Sequence, residues 1–322
     1  MSKQKQKISF IGCGAIGQIL ANNIFLHEKF RGVELNFLDK NGGGAQALAL
    51  KLNNSRFLLD NPDFSCSFNT TSNYPSISDS NIIIVTAGLP RRPDMKREDL
   101  LATNGRIISE VATNIKIYAP NALVIVVTNP LDQMVYLMSH ILGHGKKVLG
   151  ITCIDGGRFL NYVSQRSSVQ PFKGYVIGSH SDKMLVDWES LKDTKGNIIS
   201  LSQKDRTDIE KLTIESGTRI NQLAGRSDEV GTANSILAMI NKLLEGKTVV
   251  ASTNLRNQNI PVSLGKLQID TDIFSAVPLK LIGDSIKVDK KYLSNINPSL
   301  GSIFQEALSH TQETNKNILT LV

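Results

Sequence analysis

"ISFIGCGAIGQIL", residues Ile8 to Leu20, is the stretch on which the fold turns. "ISFIG" (8–12) is mostly β-branched and aromatic and reads as a strand, and the pattern after it is helical. Between the two stand Gly12, Gly14 and Gly17 in G-x-G-x-x-G spacing. In that setting the first glycine permits a tight turn, the second lets a pyrophosphate approach the backbone, and the third lets helix and strand pack closely. The helix start adds unpaired amides and a partial positive charge for phosphate. Alone, the spacing is a weak signal, because glycine-rich turns occur by chance. Asp39 strengthens it: it closes the next strand, 22 residues after Gly17. There a carboxylate would bond both ribose hydroxyls and repel a 2′-phosphate, so NAD is expected over NADP. Lys40 pulls the other way.

The same rhythm continues outward. "VELNFLD" (33–39), "SCSFN" (65–69), "NIIIVTAG" (81–88) and "ALVIVVT" (122–128) read as strands. "AIGQILANNIFLHEKF", "AQALALKLNNS" and "REDLLATNGRIISEVATNIKIYA" read as the helices between them. Continuous apolar strands alternating with helices indicate a parallel sheet covered on both faces, the doubly wound Rossmann arrangement of the α/β class. After "KKVLGIT" (146–152) the rhythm changes. A helix begins near Asp155, "GYVIGSH" and the turn "DTKGN" follow, and two helices cover roughly 203–246. "TVVAST", "IPVSLGKLQID" and "SAVPLKLI" then read as strands before a last helix. Two domains are expected: a dinucleotide-binding domain over 1–150 and an α+β substrate domain over 151–322.

Composition bounds the partners. The 322 residues are 41% hydrophobic and 20% charged with a formal charge of +7, which favours anionic ligands. The cations are spread along the chain, and the 6% aromatic content carries no basic-aromatic repeat, so no nucleic-acid partner is expected. The apolar runs "IIIV" and "ALVIVV" are far too short to span a bilayer, so no membrane association is expected. Cys13, Cys66 and Cys153 are odd in number and lack paired metal spacing. They argue for a reducing, cytoplasmic location, against a disulfide framework and against a zinc site.

Two further groups of charge stand out. "GLPRRPDMKRED" (88–99) holds Arg91, Arg92, Lys96 and Arg97 on a stretch stiffened by Pro90 and Pro93. It is either a solvated surface loop or a clamp for a small polyanion. Asp155 and Arg158 share the first turns of a helix, and His180 follows "GYVIGS" at a strand end. A histidine beside a carboxylate can exchange protons, and the planar arginine fork suits a carboxylate ligand. For a lone histidine at a strand end a structural role is the commoner reading. Asn129 in "VVTNPLD" reads equally as a helix N-cap before Pro130 or as a site residue.

Together these stretches resemble the lactate/malate dehydrogenase family of NAD-dependent 2-hydroxy acid dehydrogenases. "GCGAIG", "TAGLPRRPDMKREDLLATNGRII", "VIVVTNPLDQMVY", "IDGGRFLNYV" and "VIGSHSDKM" carry the resemblance, and "SDEVGTANSILAM" and "DIFSAVPLKLIGD" extend it through the second half. It implies a homodimer or homotetramer using NAD, and the loop sequence leans towards malate over lactate as substrate. By resemblance His180 is the proton donor and acceptor, paired with Asp155. Arg158 holds the carboxylate next to the reacting carbon, Arg97 polarises the carbonyl, and Arg91 reads the distal carboxylate. Asn129 bonds near the substrate oxygen and the nicotinamide. Cofactor contacts are implied for Gly12, Gly14, Ala15, Ile16, Gly17, Asp39, Thr86, Ala87, Gly88, Asn104, Val127 and Asn129. No metal is implied. The alternatives are an L-lactate or other 2-hydroxy acid dehydrogenase, or an NAD-binding homologue of weakened activity.

The chemistry agrees with these roles. Reducing oxaloacetate needs a hydride, a proton for the new alkoxide, and stabilisation of charge on that oxygen. Its two carboxylates need two arginines, Arg91 and Arg158, and the loop reads as a closing lid. The chain also departs from the family pattern. Ser181 stands for a glycine, Gly156 and Gly157 for residues with side chains, Asp94 for a glycine, and Gly231-Thr232 for an Ala-Pro pair. A positive φ at Ser181 would cost about 1 kcal/mol. A buried, unpaired Arg91 would cost about 3 kcal/mol or more. Arg91→Gln is therefore expected to lower kcat/KM for oxaloacetate much more than for pyruvate. Equal losses on both acids in NADH-coupled kinetics would remove Arg91 as the specificity contact.

Overall fold

The computed structural model describes residues 6–90, 97–143, 145–256 and 273–321. Its contacts cluster into two compact units, 1–150 with 315–322, and 151–314. The expected strand "IPVSLGKLQID" lies outside the described residues, as do Arg91, Arg92, Asp94 and Lys96. So does the side chain of Arg97.

The first unit runs β1 (Lys7–Ile11), α1 (Ala15–Leu26), β2 (Glu34–Asp39), α2 (Gly42–Ser55), β3 (Ser65–Thr70) and β4 (Ile82–Val85). It continues with α3 (Arg97–Tyr118), β5 (Leu123–Val126), α4 (Leu131–Leu142) and β6 (Val148–Gly150). The strands lie in the order β3-β2-β1-β4-β5-β6, all parallel. Ile82 to Val85 are at most 3% exposed, so β4 is covered on both faces, which is why its sequence is an unbroken apolar run. Phe10 and Phe37 meet across β1 and β2 with ring centroids 5.2 Å apart. Ser9, the polar residue inside β1, is satisfied: its hydroxyl lies 2.7 Å from that of Ser80 and accepts from Asn36 Nδ2.

Order in this sheet reverses between β1 and β4. The chain steps from β1 to one side through β2 and β3, and to the other through β4, β5 and β6. The loops leaving the carboxyl ends of β1 and β4 therefore diverge and leave a crevice, the usual ligand position in such sheets.

The second unit has a different plan. α5 (Cys153–Ser164) precedes the antiparallel pair β7 (Pro171–Gly178) and β8 (Met184–Asp193). Helices α6 (Gln203–Ala224) and α7 (Glu229–Leu244) follow, then β9 (Val249–Asn254), β10 (Phe274–Ile282) and β11 (Ser285–Val288). The short α8 (Lys290–Ser294) and long α9 (Pro298–Ile318) close the chain. Strands are ordered β9-β10-β7-β8, with β11 on β10. Phe159, Val176, Val186, Leu191 and Ile209 make one core, and Ile177, Val277, Leu293 and Phe304 make another. Ser202 caps α6 through the amide of Asp205, Gly225 ends it at φ +68°, and Asp228 caps α7. Among the described residues no helix is long and apolar enough to cross a membrane.

β8 was not expected from the sequence. "MLVDWESLKD" holds good helix formers, and its buried set (Met184, Val186, Asp187, Ser190, Leu191) follows no clean alternation. Pairing with β7 decides it, with Val176 opposite Val186 and Gly178 opposite Met184. Residues 315–322, read as the tail of the second domain, cluster instead with the first unit. Chain continuity says nothing of which residues meet in space.

Gly12 holds the turn after β1 at φ +100°. A Cβ there would stand 2.5 Å from the Ala87 amide nitrogen, where the neighbour is backbone and cannot swing aside. Gly12→Ala is expected to cost about 2 kcal/mol in urea unfolding, from the strained φ and the clash together. An unchanged midpoint would mean that the two loops can part freely.

Candidate active site

In the first unit the glycine loop builds a cradle. Gly12 donates its amide to Leu38 O at 2.8 Å, tying the loop to the end of β2. Gly17 is buried, and a Cβ on it would lie 2.8 Å from Gly12 O, so only glycine allows α1 to start this close to β1. Gly14 is different. It is exposed and a Cβ on it would meet nothing within 4 Å, so its bare backbone faces open space at the α1 N-terminus. Ala15 is exposed and Ile16 half-buried beside it. A phosphate can therefore reach the first amides of the helix, where the dipole favours it.

Asp39 is held on two sides. Oδ2 accepts from Cys13 N at 2.6 Å and Oδ1 from Asn41 N at 2.7 Å. A carboxylate accepts about four hydrogen bonds, so this half-buried group keeps capacity for a diol. Burial, with the Asp39 charge adding to it, pushes the Cys13 thiol up to about 12. It stays neutral in the loop and adds no charge against a phosphate.

The facing wall comes from β4 and β5. Thr86 Oγ1 donates to Gly12 O at 2.8 Å and Thr128 Oγ1 to Ala87 O at 2.7 Å. Gly88 is also crowded, since a Cβ there would lie 2.5 Å from Thr128 Cγ2, although that neighbour is a side chain. Val127 is buried behind this wall. Asn104, wholly buried in α3, accepts from Leu89 N at 2.8 Å and donates to Leu89 O and to Asn129 O at 2.7 Å. Its amide thus braces the loop start against the loop after β5. Asn129 is not the α4 cap: Pro130 occupies that position, after a cis peptide, and Asn129 is exposed.

The second unit gathers the other charges. Gly178 ends β7 at φ +95° and turns the chain so that His180 faces α5. His180 Nδ1 lies 2.6 Å from Asp155 Oδ2, whose side chain is 3% exposed. An ionised carboxylate can only accept, so Nδ1 carries the proton and Nε2 is the atom that exchanges one. Asp155 Oδ1 takes Arg158 Nη1 at 3.3 Å, and Arg158 Nη2 lies 3.3 Å from Asp228 Oδ2. The spacing of Asp155 and Arg158, one turn of α5 apart, puts both on one face.

One of the departures has a plain account. Ser181 carries no strain: among the described residues only Asp60 and Asp79 are non-glycines at positive φ. Its hydroxyl accepts from Lys183 N and lies 2.9 Å from Ser179 Oγ, which closes the turn after His180. Gly156 and Gly157 have room for a Cβ, with nothing nearer than Gly174 O at 3.7 Å. Asp228 is the site residue the sequence reading passed over. Its only local signal was an Asp three residues before a glycine at a helix start.

The chain is similar to known proteins over most of its length. Residues 6–150 match the family model described as lactate/malate dehydrogenase, NAD binding domain. The chain is 32% identical to malate dehydrogenase of Caldivirga maquilingensis over 309 residues, 90% of this chain and 98% of that one. It is 32% identical to malate dehydrogenase of Neorickettsia sennetsu over 322 residues, 95% and 97% of the two chains. The crystal structure of Cryptosporidium parvum malate dehydrogenase superposes with TM-score 0.85 at 28% identity, covering 98% of this chain and all of that one.

Replacing His180 by Asn keeps the size of the ring's first half and removes the exchangeable proton. Dinucleotide binding, followed by NADH fluorescence, is expected to survive in His180→Asn while turnover drops two to four orders of magnitude. Retained turnover would take His180 out of the chemistry.

Proposed function

Because the chain belongs to the lactate/malate dehydrogenase family, we propose that it interconverts malate and oxaloacetate with NAD(H), using His180 as proton donor and acceptor. The observation that carries this is the His180–Asp155 pair at 2.6 Å with Arg158 on the same carboxylate. Residues 1–150 serve as the NAD-binding domain, and the second unit, 151–314, holds substrate and the proton-transfer pair.

NAD(H) supplies and accepts the hydride when bound in the cradle of Gly12, Gly14 and Gly17, with Asp39 on the adenosine ribose. His180, cationic in the reducing direction, gives its Nε2 proton to the forming alkoxide. Asp155 fixes the ring and stabilises the imidazolium, so the proton is held ready without a search. Arg158 offers its planar fork to the carboxylate next to the reacting carbon. Arg97 is assigned to the carbonyl oxygen, where a fixed cation is worth several kcal/mol as charge develops. Arg91 is assigned to the distal carboxylate and Asn129 to the substrate oxygen and nicotinamide. A homodimer or homotetramer in the cytoplasm is the expected state, in keeping with the family and with an odd number of cysteines.

Following NADH absorbance with oxaloacetate and then pyruvate tests the reading. Oxaloacetate is expected to be turned over at least about a hundredfold more efficiently, the discrimination an unpaired buried arginine provides. Faster turnover of pyruvate would move the protein to the lactate side, and no turnover of either would make it a dinucleotide-binding homologue. NADPH in place of NADH is expected to be the poorer donor, through repulsion at Asp39.

A further inference from the structure

We propose that Asp228 is a built-in competitor for the substrate carboxylate at Arg158, and so sets how tightly this site holds a 2-oxo acid. The inference rests on the assignment of Arg158 as the partner of that carboxylate.

Both outer nitrogens of the Arg158 fork are already engaged, Nη1 by Asp155 and Nη2 by Asp228, each at 3.3 Å. Its Nε is buried and has no hydrogen-bond partner among the described residues. A bidentate ligand needs two neighbouring donors of the fork. Each outer nitrogen keeps a second N–H, so an incoming carboxylate either takes those and meets the repulsion of both acids or displaces one of them.

The two acids are not equally able to yield. Asp155 is 3% exposed and also holds His180, so moving it would dismantle the proton-transfer pair. Asp228 is 19% exposed and sits just ahead of α7. It lines a cavity of about 560 Å³ together with Arg158, Gly231, Asn234 and Ser235. α6 passes the guanidinium at Gly217, where even a Cβ would only come into ordinary contact, 3.4 Å from Nη1.

Gly231 belongs to the same device. A Cβ at that position would stand 2.5 Å and 2.7 Å from the two Asp228 oxygens. The absence of a side chain there lets the carboxylate fold back, with Oδ1 accepting from Gly231 N at 2.8 Å while Oδ2 faces Arg158. The carboxylate thus has a second seat, the cap of α7, which it keeps when it releases the arginine.

Capping and competing separate by mutation, since Asn caps a helix about as well as Asp but carries no charge. In Asp228→Asn, KM for oxaloacetate is expected to fall about three- to tenfold with kcat within twofold, the size of a partly exposed ion pair. Calorimetric titration of the NADH-loaded protein should show the same gain for hydroxymalonate, a dicarboxylate, and for oxamate, a monocarboxylate. Both ligands present the carboxylate that Arg158 takes, so they should shift in parallel. Unchanged binding of both would leave Asp228 a helix cap only. Weaker binding would make it a support that orients Arg158, and either result overturns the proposal. Should Asp228→Asn fail to fold, Asp228→Ser, which also caps, is read in the same way. If the wild-type protein reduced neither oxaloacetate nor pyruvate, the assigned reaction would fall while the binding comparison still decided the role of Asp228.

Discussion

Asp155 is a carboxylate almost wholly removed from water, and it is tolerable there only because His180 and Arg158 both bond to it. That one constraint organises the second unit. It orders the start of α5, requires β7 to end in a turn that returns His180 to the helix, and fixes where the arginine fork points. An unpaired buried charge would cost several kcal/mol, so the constellation forms as a set or not at all. His180 and Arg158 are thus positioned by the same interaction that makes the buried acid tolerable.

The first unit solves a different problem, which is to bring backbone close to a polyanion. Its means is the absence of side chains at three places with three distinct reasons. Gly12 must adopt a positive φ beneath Ala87, Gly17 must lie against Gly12 O, and Gly14 leaves space in front of the helix start. The Asp39 carboxylate is tied to this loop through the Cys13 amide, so the acid and the glycine turn are held in register. Asn104 does the same for the opposite wall, spending its whole amide on Leu89 and Asn129.

Departures from a family pattern gain meaning when they touch. Gly231, met as an isolated oddity in the chain, is the residue that makes room for the Asp228 carboxylate, and that carboxylate reaches Arg158. Ser181 stands in place of a glycine without strain because its φ is not positive. Gly156 and Gly157 have no neighbour that demands them, and nothing in the structure explains them.

The sequence by itself determined the parallel sheet, the glycine cradle with Asp39, and the candidate set His180, Asp155 and Arg158. These are legible because their signals are local: a period, a spacing, or a residue type at an element end. Resemblance then supplied the roles of His180, Arg158 and Asn129 that spacing had left open. Tertiary structure alone decided β8 as a strand, since its pattern is ambiguous until β7 pairs with it. It decided that Asn104 braces two loops and that Pro130 rather than Asn129 stands at the N-cap position of α4. It also brought Asp228 to Arg158 across 70 residues of chain. Contacts of that kind leave no periodicity in the chain, because nothing in one segment specifies which distant segment will fill the space beside it.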